Sequence, residues 1–257
     1  MLIAIDIGNT NILIGTIGVD GDIHDQHRIS TNDFIENKES IHSDLVESLK
    51  IKNNDNNEFI IASVVPNALS QISAIFNQYQ VVPKIIKTTD PILGMKIDID
   101  KPEELGTDRI INAIAAYEEF GGPLIIIDFG TATTFDIVDS VGTYKGGLIC
   151  PGIKLSIKSL NSETAQLPLI DLKSTPIIVG RDTKTAIESG IYWGYVSLIE
   201  GLIEKVSNEM QFSTCTVVGT GGLSHIFKKD IKKINYFNDD LTLKGLYLIN
   251  KKYNEQK

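Results

Sequence analysis

A short segment near the N-terminus combines an acid, a glycine and three small polar residues. Leu2–Asn11 reads LIAIDIGNTN, so an apolar run ends around Asp6 and is followed by Gly8 and then by Asn9–Asn11. Because the chain is apolar again over 12–17, the pattern predicts a buried strand, a tight turn and a second strand. A carboxylate, a hydroxyl and backbone N–H groups at a strand end can hold a phosphate with its magnesium ion. The alternative is an ordinary hairpin whose Asp and Asn serve turn chemistry.

The same pattern returns in the second half of the chain. Leu124–Thr134 reads LIIIDFGTATT, and its Asp128 and Gly130 fall in register with Asp6 and Gly8. Each copy is followed by a second apolar strand, a Gly-containing turn and a third strand. Such an internal repeat is more informative than either copy alone. It predicts two α/β domains of similar plan, over residues 1–120 and 121–257.

Two matching loops that face each other across a cleft would form a clamp for a polyphosphate. The second loop would contribute Asp128, Gly130, Thr131 and Thr133. Two carboxylates close to phosphates repel each other and the ligand, so a cation must lie among them. We therefore expect ATP to bind together with Mg²⁺, and the glycines to let the backbone approach the phosphates.

A third motif, Leu105–Arg109, reads LGTDR and stands at the start of a predicted helix. Asp108 could take a proton from a substrate hydroxyl, and the planar Arg109 side chain could bind a carboxylate through two hydrogen bonds. Phosphoryl transfer needs mainly this positioning and charge compensation. The alternative is a helix-capping Asp beside an exposed Arg.

Other nucleotide and metal motifs are weaker. No glycine is followed by lysine, which excludes a Walker P-loop. Gly219–Ser224 follows a strand and resembles a dinucleotide fingerprint, but Ser224 replaces its third glycine. NAD binding is therefore an alternative to a glycine loop that lies against an adenosine. His24 and His27 form an isolated HxxH pair, which is more typical of surface histidines.

Composition limits the possible partners and location. The chain has 257 residues, 42% of them hydrophobic, and a net charge of −9 without a dense Lys/Arg cluster, which argues against nucleic acid. The N-terminal run contains Asp6 and lacks a basic start, so it predicts a strand and not a signal peptide. No run reaches the ~18 apolar residues of a membrane span. We expect a cytoplasmic protein.

Apolar periodicity gives the elements that must position these motifs. Further strands are predicted at Asp22–Ser30, Phe59–Val65, Val81–Lys87 and Thr214–Val218, and helices at Glu39–Leu49, Ala68–Tyr79, Asp108–Phe120, Thr183–Met210 and Leu241–Tyr253, with a polar loop at Asn53–Asn57 and an irregular segment at Thr88–Leu105. Gly190, Gly194 and Gly201 keep one line of the long helix flat. This line is expected to pack either inside its own domain or against a second subunit.

Four motifs together resemble a known family. Asp6–Thr10, Gly106–Arg109, Asp128–Thr131 and Pro151–Gly152 look like successive motifs of type III pantothenate kinases, in the acetate and sugar kinase/Hsp70/actin superfamily. Gly180–Thr183 is similar to a further family motif. The resemblance covers almost the whole chain and implies the duplicated actin-like ATPase (ribonuclease H-like) fold.

The resemblance also implies the reaction, the partners and the site residues. The reaction is ATP-dependent phosphorylation of pantothenate to 4′-phosphopantothenate, the first step of coenzyme A biosynthesis. A homodimer and a monovalent cation, K⁺ or NH₄⁺, are implied as well. Asp108 would be the proton acceptor, Asp128 would hold the monovalent cation, and Thr183 would contact pantothenate. The implied ATP-binding residues are Asp6, Ile7, Gly8, Asn9, Thr10, Asn11, Ile12, Leu13 and Thr131, and the implied pantothenate-binding residues are Gly106, Thr107, Asp108 and Arg109.

The chain departs from the family pattern at one position. Ile99 stands where the family often has a tyrosine shortly before the proline of this segment, here Pro102, so one pantothenate contact is expected to be lost or replaced. Two alternative functions stay open. One is a non-catalytic nucleotide-binding regulator of the Bvg accessory factor type, and the other is a kinase of this superfamily for another small hydroxylated acid.

Overall fold

The computed structural model describes residues 1–36, 39–49, 51, 57–164 and 167–256. Of the predicted polar loop at Asn53–Asn57, all but the last residue lie outside this part of the chain. The strands are β1 Leu2–Ile7, β2 Asn11–Ile17, β3 Ile23–Ser30, β4 Glu58–Ser63, β5 Lys84–Ile85, β6 Lys96–Ile97, β7 Leu124–Phe129, β8 Ala132–Val138, β9 Thr143–Pro151, β10 Thr216–Thr220 and β11 Tyr236–Phe237. The helices are α1 Thr31–Ile35, α2 Glu39–Ser48, α3 Pro66–Gln78, α4 Thr107–Phe120, α5 Ile153–Ser162, α6 Thr183–Glu209, α7 Ser224–Phe227 and α8 Leu241–Glu255.

The chain divides into two compact units. Unit 1 contains Met1–Met95, Ile99–Ala115 and Asp240–Lys257, and unit 2 contains Lys96–Asp98 and Ala116–Asp239. This division differs from the predicted boundary at 120/121 in three places: α8 belongs to unit 1, Lys96–Asp98 belong to unit 2, and α4 is divided after Ala115. The apolar face of α8 is buried, and the side chain of Asn250 donates a hydrogen bond to Glu58 on β4.

The sheet of unit 1 has the strand order β3-β2-β1-β4-β5. β1 is antiparallel to β2, with Ile7 opposite Ile12, and parallel to β4, with Ile7 opposite Ser63. The carboxyl ends of β1 and β4 therefore lie side by side. β5 is shorter than the predicted strand Val81–Lys87.

The sheet of unit 2 repeats this plan, with the order β11-β10-β7-β8-β9-β6. β7 is antiparallel to β8 and parallel to β10, where Asp128 lies opposite Thr220. The added edge strand β6 comes from the segment that was predicted to be irregular. The predicted duplication of a strand–turn–strand–turn–strand unit is confirmed.

The helices that carry the predicted motifs have local reasons to begin where they do. α4 begins at Thr107, one residue earlier than expected. α6 begins after Asp182, whose side chain accepts a hydrogen bond from the backbone N–H of Thr185 while Thr185 bonds back, forming a capping box. Within the described residues, no helix is both long and apolar enough to cross a membrane.

Candidate active site

The turn between β1 and β2 is fixed by hydrogen bonds, two of them from Thr31 at the start of α1. The backbone N–H of Gly8 donates to the carbonyl of Asn11 at 3.0 Å. Thr31 donates its hydroxyl to the carbonyl of Gly8 at 2.7 Å and its N–H to the carbonyl of Thr10 at 3.0 Å. The loop is therefore fixed, while its residues 9–11 are exposed and Asp6 is half-buried. A fixed loop with exposed polar groups suits a phosphate ligand.

Three of the residues predicted to bind ATP have apolar side chains inside the core. Ile7 and Ile12 are 0% exposed and Leu13 is 8% exposed. Ile12 and Leu13 also belong to β2, which is hydrogen-bonded between β1 and β3. The polar groups that this loop offers to a ligand are therefore those of Asp6 and residues 8–11, and the apolar residues support them.

The predicted substrate motif lies at the same edge of the unit 1 sheet. The hydroxyl of Thr107, at the start of α4, donates to the carbonyl of Ser63 at the end of β4, at 3.1 Å. Next to it, the N–H of Val64 donates to the carbonyl of Ile7 at 3.1 Å. Since β4 and β1 are neighbours, the fold brings Gly106–Arg109 and the first loop to one sheet edge.

Asp108 is half-buried at the second position of α4. Burial raises the pKa of its carboxyl, although the N–H and the guanidinium of Arg109 oppose this rise. One carboxylate oxygen, Oδ1, accepts a hydrogen bond from the N–H of Arg109 at 2.8 Å. A carboxylate with a raised pKa is a better proton acceptor than an exposed one. The same contact pairs a backbone N–H in the first turn of α4, as a capping acid does.

The second loop connects β7 and β8 and is one residue shorter than the first. Phe129 lies opposite Thr133, whereas in the first hairpin Ile7 lies opposite Ile12. Thr131 is exposed and Asp128 is half-buried. Thr133, which was expected to line this loop, is 0% exposed, and its hydroxyl has no hydrogen-bond partner within the described chain. The expectation for Thr133 was wrong, because alternation along β8 directs its side chain to the core.

Two glycines support the second loop in a way that sequence reasoning missed. A Cβ atom on Gly152 would overlap the carbonyl of Thr131 and lie 2.8 Å from the carbonyl oxygen of Gly130. Gly221 has a φ of +90°, and a Cβ there would overlap the carboxylate of Asp128 and lie 2.7 Å from the nitrogen of Phe129. Any larger residue at either position would displace the loop or its acid. The glycine run after β10 was the available signal, but its contact with Asp128 depends on strand pairing.

Two further features of unit 2 bear on ligand binding. Thr183 is exposed at the first position of α6, so the segment Gly180–Thr183 presents a polar surface. Among the described residues, no group of three His, Cys, Asp or Glu side chains could hold a metal ion. The half-buried carboxylate of Asp128 lies next to the backbone of Gly221, where a side chain would collide with it.

Comparison with known proteins defines the class of protein first. The two sheets with their repeated strand order form an actin-like α/β fold. A putative 2-dehydro-3-deoxygalactonokinase from Sinorhizobium meliloti superimposes with a TM-score of 0.62 at 12% identity, covering 98% of this chain and 96% of that one. A putative Baf family transcriptional activator from Campylobacter jejuni gives 0.61 at 20% identity, covering 98% and 99%. The predicted fold is confirmed.

The particular family follows from the sequence. A family model described as "Type III pantothenate kinase" matches residues 2–205. A type III pantothenate kinase from Paramagnetospirillum magneticum is 42% identical over 257 residues, covering 98% of this chain and 97% of the relative. The chain belongs to the type III pantothenate kinase family, as the four motifs predicted.

Proposed function

We propose that this protein transfers the γ-phosphoryl group of ATP to the 4′-hydroxyl of pantothenate and releases 4′-phosphopantothenate and ADP. Family membership supports the enzyme class and the substrate pair. The structural observation that carries the proposal is the hydrogen bond from Thr107 to Ser63, which holds Asp108 at the sheet edge that bears the first phosphate loop. A proton acceptor and a phosphate loop on one rigid edge are what an in-line transfer requires.

In this proposal the substrate motif binds and activates pantothenate. Asp108 accepts the proton of the attacked hydroxyl, and Arg109 holds the pantothenate carboxylate, because guanidinium and carboxylate form paired hydrogen bonds. Gly106 and Thr107 shape the start of α4 beneath the substrate. The exposed Thr183 contributes a further pantothenate contact. The raised pKa of Asp108 supports its role as base.

The two loops bind ATP in the same proposal. Asp6 and residues 8–11 of the first loop and Thr131 of the second bind its phosphates, while Mg²⁺ bound to ATP offsets the phosphate charge. Asp128, whose carboxylate lies against Gly221, holds the monovalent cation, K⁺ or NH₄⁺. The buried side chains of Ile7, Ile12 and Leu13 keep the first loop in place.

The test is a coupled assay of ADP release with pantothenate, Mg²⁺ and ATP, with and without K⁺ or NH₄⁺. We expect turnover that depends on pantothenate and increases with one of these cations. Nucleotide binding without pantothenate-dependent turnover under any cation would contradict the proposal and favour the regulator alternative. Faster turnover of another small hydroxy acid would contradict the choice of substrate only.

We also propose a homodimer formed through unit 2. Leu169, Ile178 and Val179 are 67%, 70% and 79% exposed, a set of apolar side chains close in sequence to the start of α6. A Cβ on Gly190 or Gly194 would meet no atom within 4 Å, so this line of α6 does not pack inside its own unit. Exposed apolar side chains and open glycines support close approach of a second subunit. The cytoplasmic location stays a prediction.

A further inference from the structure

Tyr195 lies in the core of unit 2, and its hydroxyl contacts the segment that joins β9 to α5. The residue belongs to α6 and is 6% exposed. Its hydroxyl donates to the carbonyl of Pro151 at 2.5 Å and lies 3.0 Å from the hydroxyl oxygen of Ser156 on α5. Burial raises the pKa of Tyr195, so the hydroxyl stays protonated and remains a donor at neutral pH. It therefore ties α6 to the end of β9.

The segment that Tyr195 holds is the one that supports the second phosphate loop. Pro151 pairs with Ala132, directly after the loop. Gly152 packs against the carbonyl groups of Thr131 and Gly130 so closely that no side chain fits between them. The carbonyl of Gly152 also accepts the N–H of Ser156 at 2.9 Å, where α5 begins. A shift of Pro151–Gly152 would consequently shift the loop.

We infer that Tyr195 is a positioning residue for ATP: through Pro151 and Gly152 it fixes the backbone of Gly130 and Thr131 in the conformation that receives the nucleotide phosphates. The inference rests on the proposed function insofar as Thr131 binds ATP. It adds a residue that touches no substrate and that no sequence motif contains. Loop preorganisation of this kind stabilises the bound state, because less order has to be imposed on binding.

A matched control lies one turn away on the same helix. Tyr192 is 0% exposed, and its hydroxyl donates to a carboxylate oxygen of Asp230 at 2.5 Å. Replacement of Tyr192 by Phe also removes a tyrosine hydroxyl from this core, but it leaves the hydrogen bond to Pro151 intact. Comparing Tyr195→Phe with Tyr192→Phe therefore separates loop positioning from a general loss of core hydrogen bonding.

The experiment measures nucleotide affinity and steady-state kinetics of the full chain. A non-hydrolysable ATP analogue is titrated calorimetrically in the presence of Mg²⁺, and the KM values for ATP and pantothenate are determined separately. Loss of one hydrogen bond predicts roughly five- to tenfold weaker analogue binding for Tyr195→Phe and a matching rise in the KM for ATP. The KM for pantothenate should stay unchanged, and Tyr192→Phe should alter neither value. A further Ser156→Ala change in the Tyr195→Phe protein should not weaken binding again, because the Tyr195 hydroxyl that Ser156 bonds is already absent.

The other possible results would contradict the positioning role, the proposed function or the proposed substrate. Unchanged analogue affinity in Tyr195→Phe, or equal weakening in Tyr192→Phe, would overturn the positioning role. A wild-type protein that binds no nucleotide would overturn the proposed function and this inference together. Wild-type nucleotide binding without pantothenate turnover would contradict the proposed substrate, while the affinity comparison would still decide the role of Tyr195. Thermal denaturation of both variants identifies any loss that comes from unfolding.

Discussion

At the scale of single residues, the environment that favours Asp108 as the proposed base has a cost in stability. Its carboxyl is buried enough to raise the pKa, so its ionised form at neutral pH is disfavoured by desolvation in the folded state. The folded state therefore binds the proton more tightly than the unfolded state does. The contribution of this group to stability is most favourable below its ordinary pKa of 3.8 and declines as the pH rises through the raised value.

This environment makes Asp108→Asn informative. Turnover should fall roughly 10²- to 10⁴-fold because the proton acceptor is lost. At pH 7 the thermal midpoint should stay the same or rise, and the difference from the wild type should shrink at about pH 3.5. The coupled assay and thermal denaturation at both pH values measure this.

Glu103→Gln, an exposed change in the segment before α4, is the control and should alter neither turnover nor the thermal midpoint. For the wild type, kcat/KM should rise with pH as Asp108 ionises and then level off. Near-normal turnover of Asp108→Asn would mean that the residue only caps α4.

The sequence predicted the position of residues whose chemistry is visible in a local motif. It did not predict the role of residues that act through contacts with distant parts of the chain. The acid and glycine of each proposed phosphate loop could be located from sequence because both copies place them at a strand end. The support given by Gly152 and Gly221 was not, because it depends on how β9 and β10 pair with β8 and β7. Thr133 was misplaced for a local reason: it was assigned to the loop, but it belongs to β8, where alternation directs its side chain to the core.

At the scale of elements, a polar cluster attaches α8 to the first sheet. Glu58 on β4 accepts hydrogen bonds from Lys84 at 2.7 Å and from the side-chain amide of Asn250 at 3.0 Å, and Asn254 donates to it as well. Desolvation would raise the pKa of Glu58, but Lys84 and the two amides together lower it to about 2. The cluster therefore stabilises unit 1 at pH values above the ordinary 4.5 and loses this effect as the pH falls towards about 2.

Glu58→Gln tests this attachment. At pH 7 the variant should lose about 1 kcal/mol of unfolding free energy, a figure reduced for the 43% exposure of the Glu58 side chain. The loss should become smaller at acid pH, because below about pH 4.5 the unfolded wild-type chain binds a proton at Glu58 while the folded state stays ionised down to about pH 2. Urea unfolding at pH 7 and about pH 3 measures both values. Glu255→Gln, an exposed change at the end of α8, is the control and should have no comparable effect. An equal loss of unfolding free energy in Glu58→Gln at the two pH values would contradict the charge effect assigned to Glu58.

The helices could be predicted from the sequence, but the sheet against which α8 packs could not. The period of the apolar residues gave α4, α6 and α8 to within a few residues, since each helix has a buried face along its own sequence. The partners of α8 lie in β1 and β4, at the other end of the chain, and no local pattern reports such contacts. β6 was missed because a two-residue edge strand has no period to detect.

At the scale of the whole molecule, the proposed dimer predicts opposite effects of one substitution on folding and assembly. Gly194→Gln replaces a glycine in a helix by a better helix former, which should raise the stability of unit 2 by up to about 1 kcal/mol, because the new side chain meets open space. The same side chain would block close approach of a second subunit. Light scattering after gel filtration should therefore show a larger monomer fraction together with an unchanged or higher thermal midpoint.

Lys251→Gln, an exposed change on α8, is the control for surface substitution and should leave the mass unchanged. If the monomeric Gly194→Gln protein also loses pantothenate turnover while it still binds the ATP analogue, assembly is required for the acceptor side of the site. A wild-type monomer with full activity would contradict the dimer. Because Gly194 lies on the same helix as Tyr195 but on its outer face, the two variants together separate assembly from nucleotide positioning.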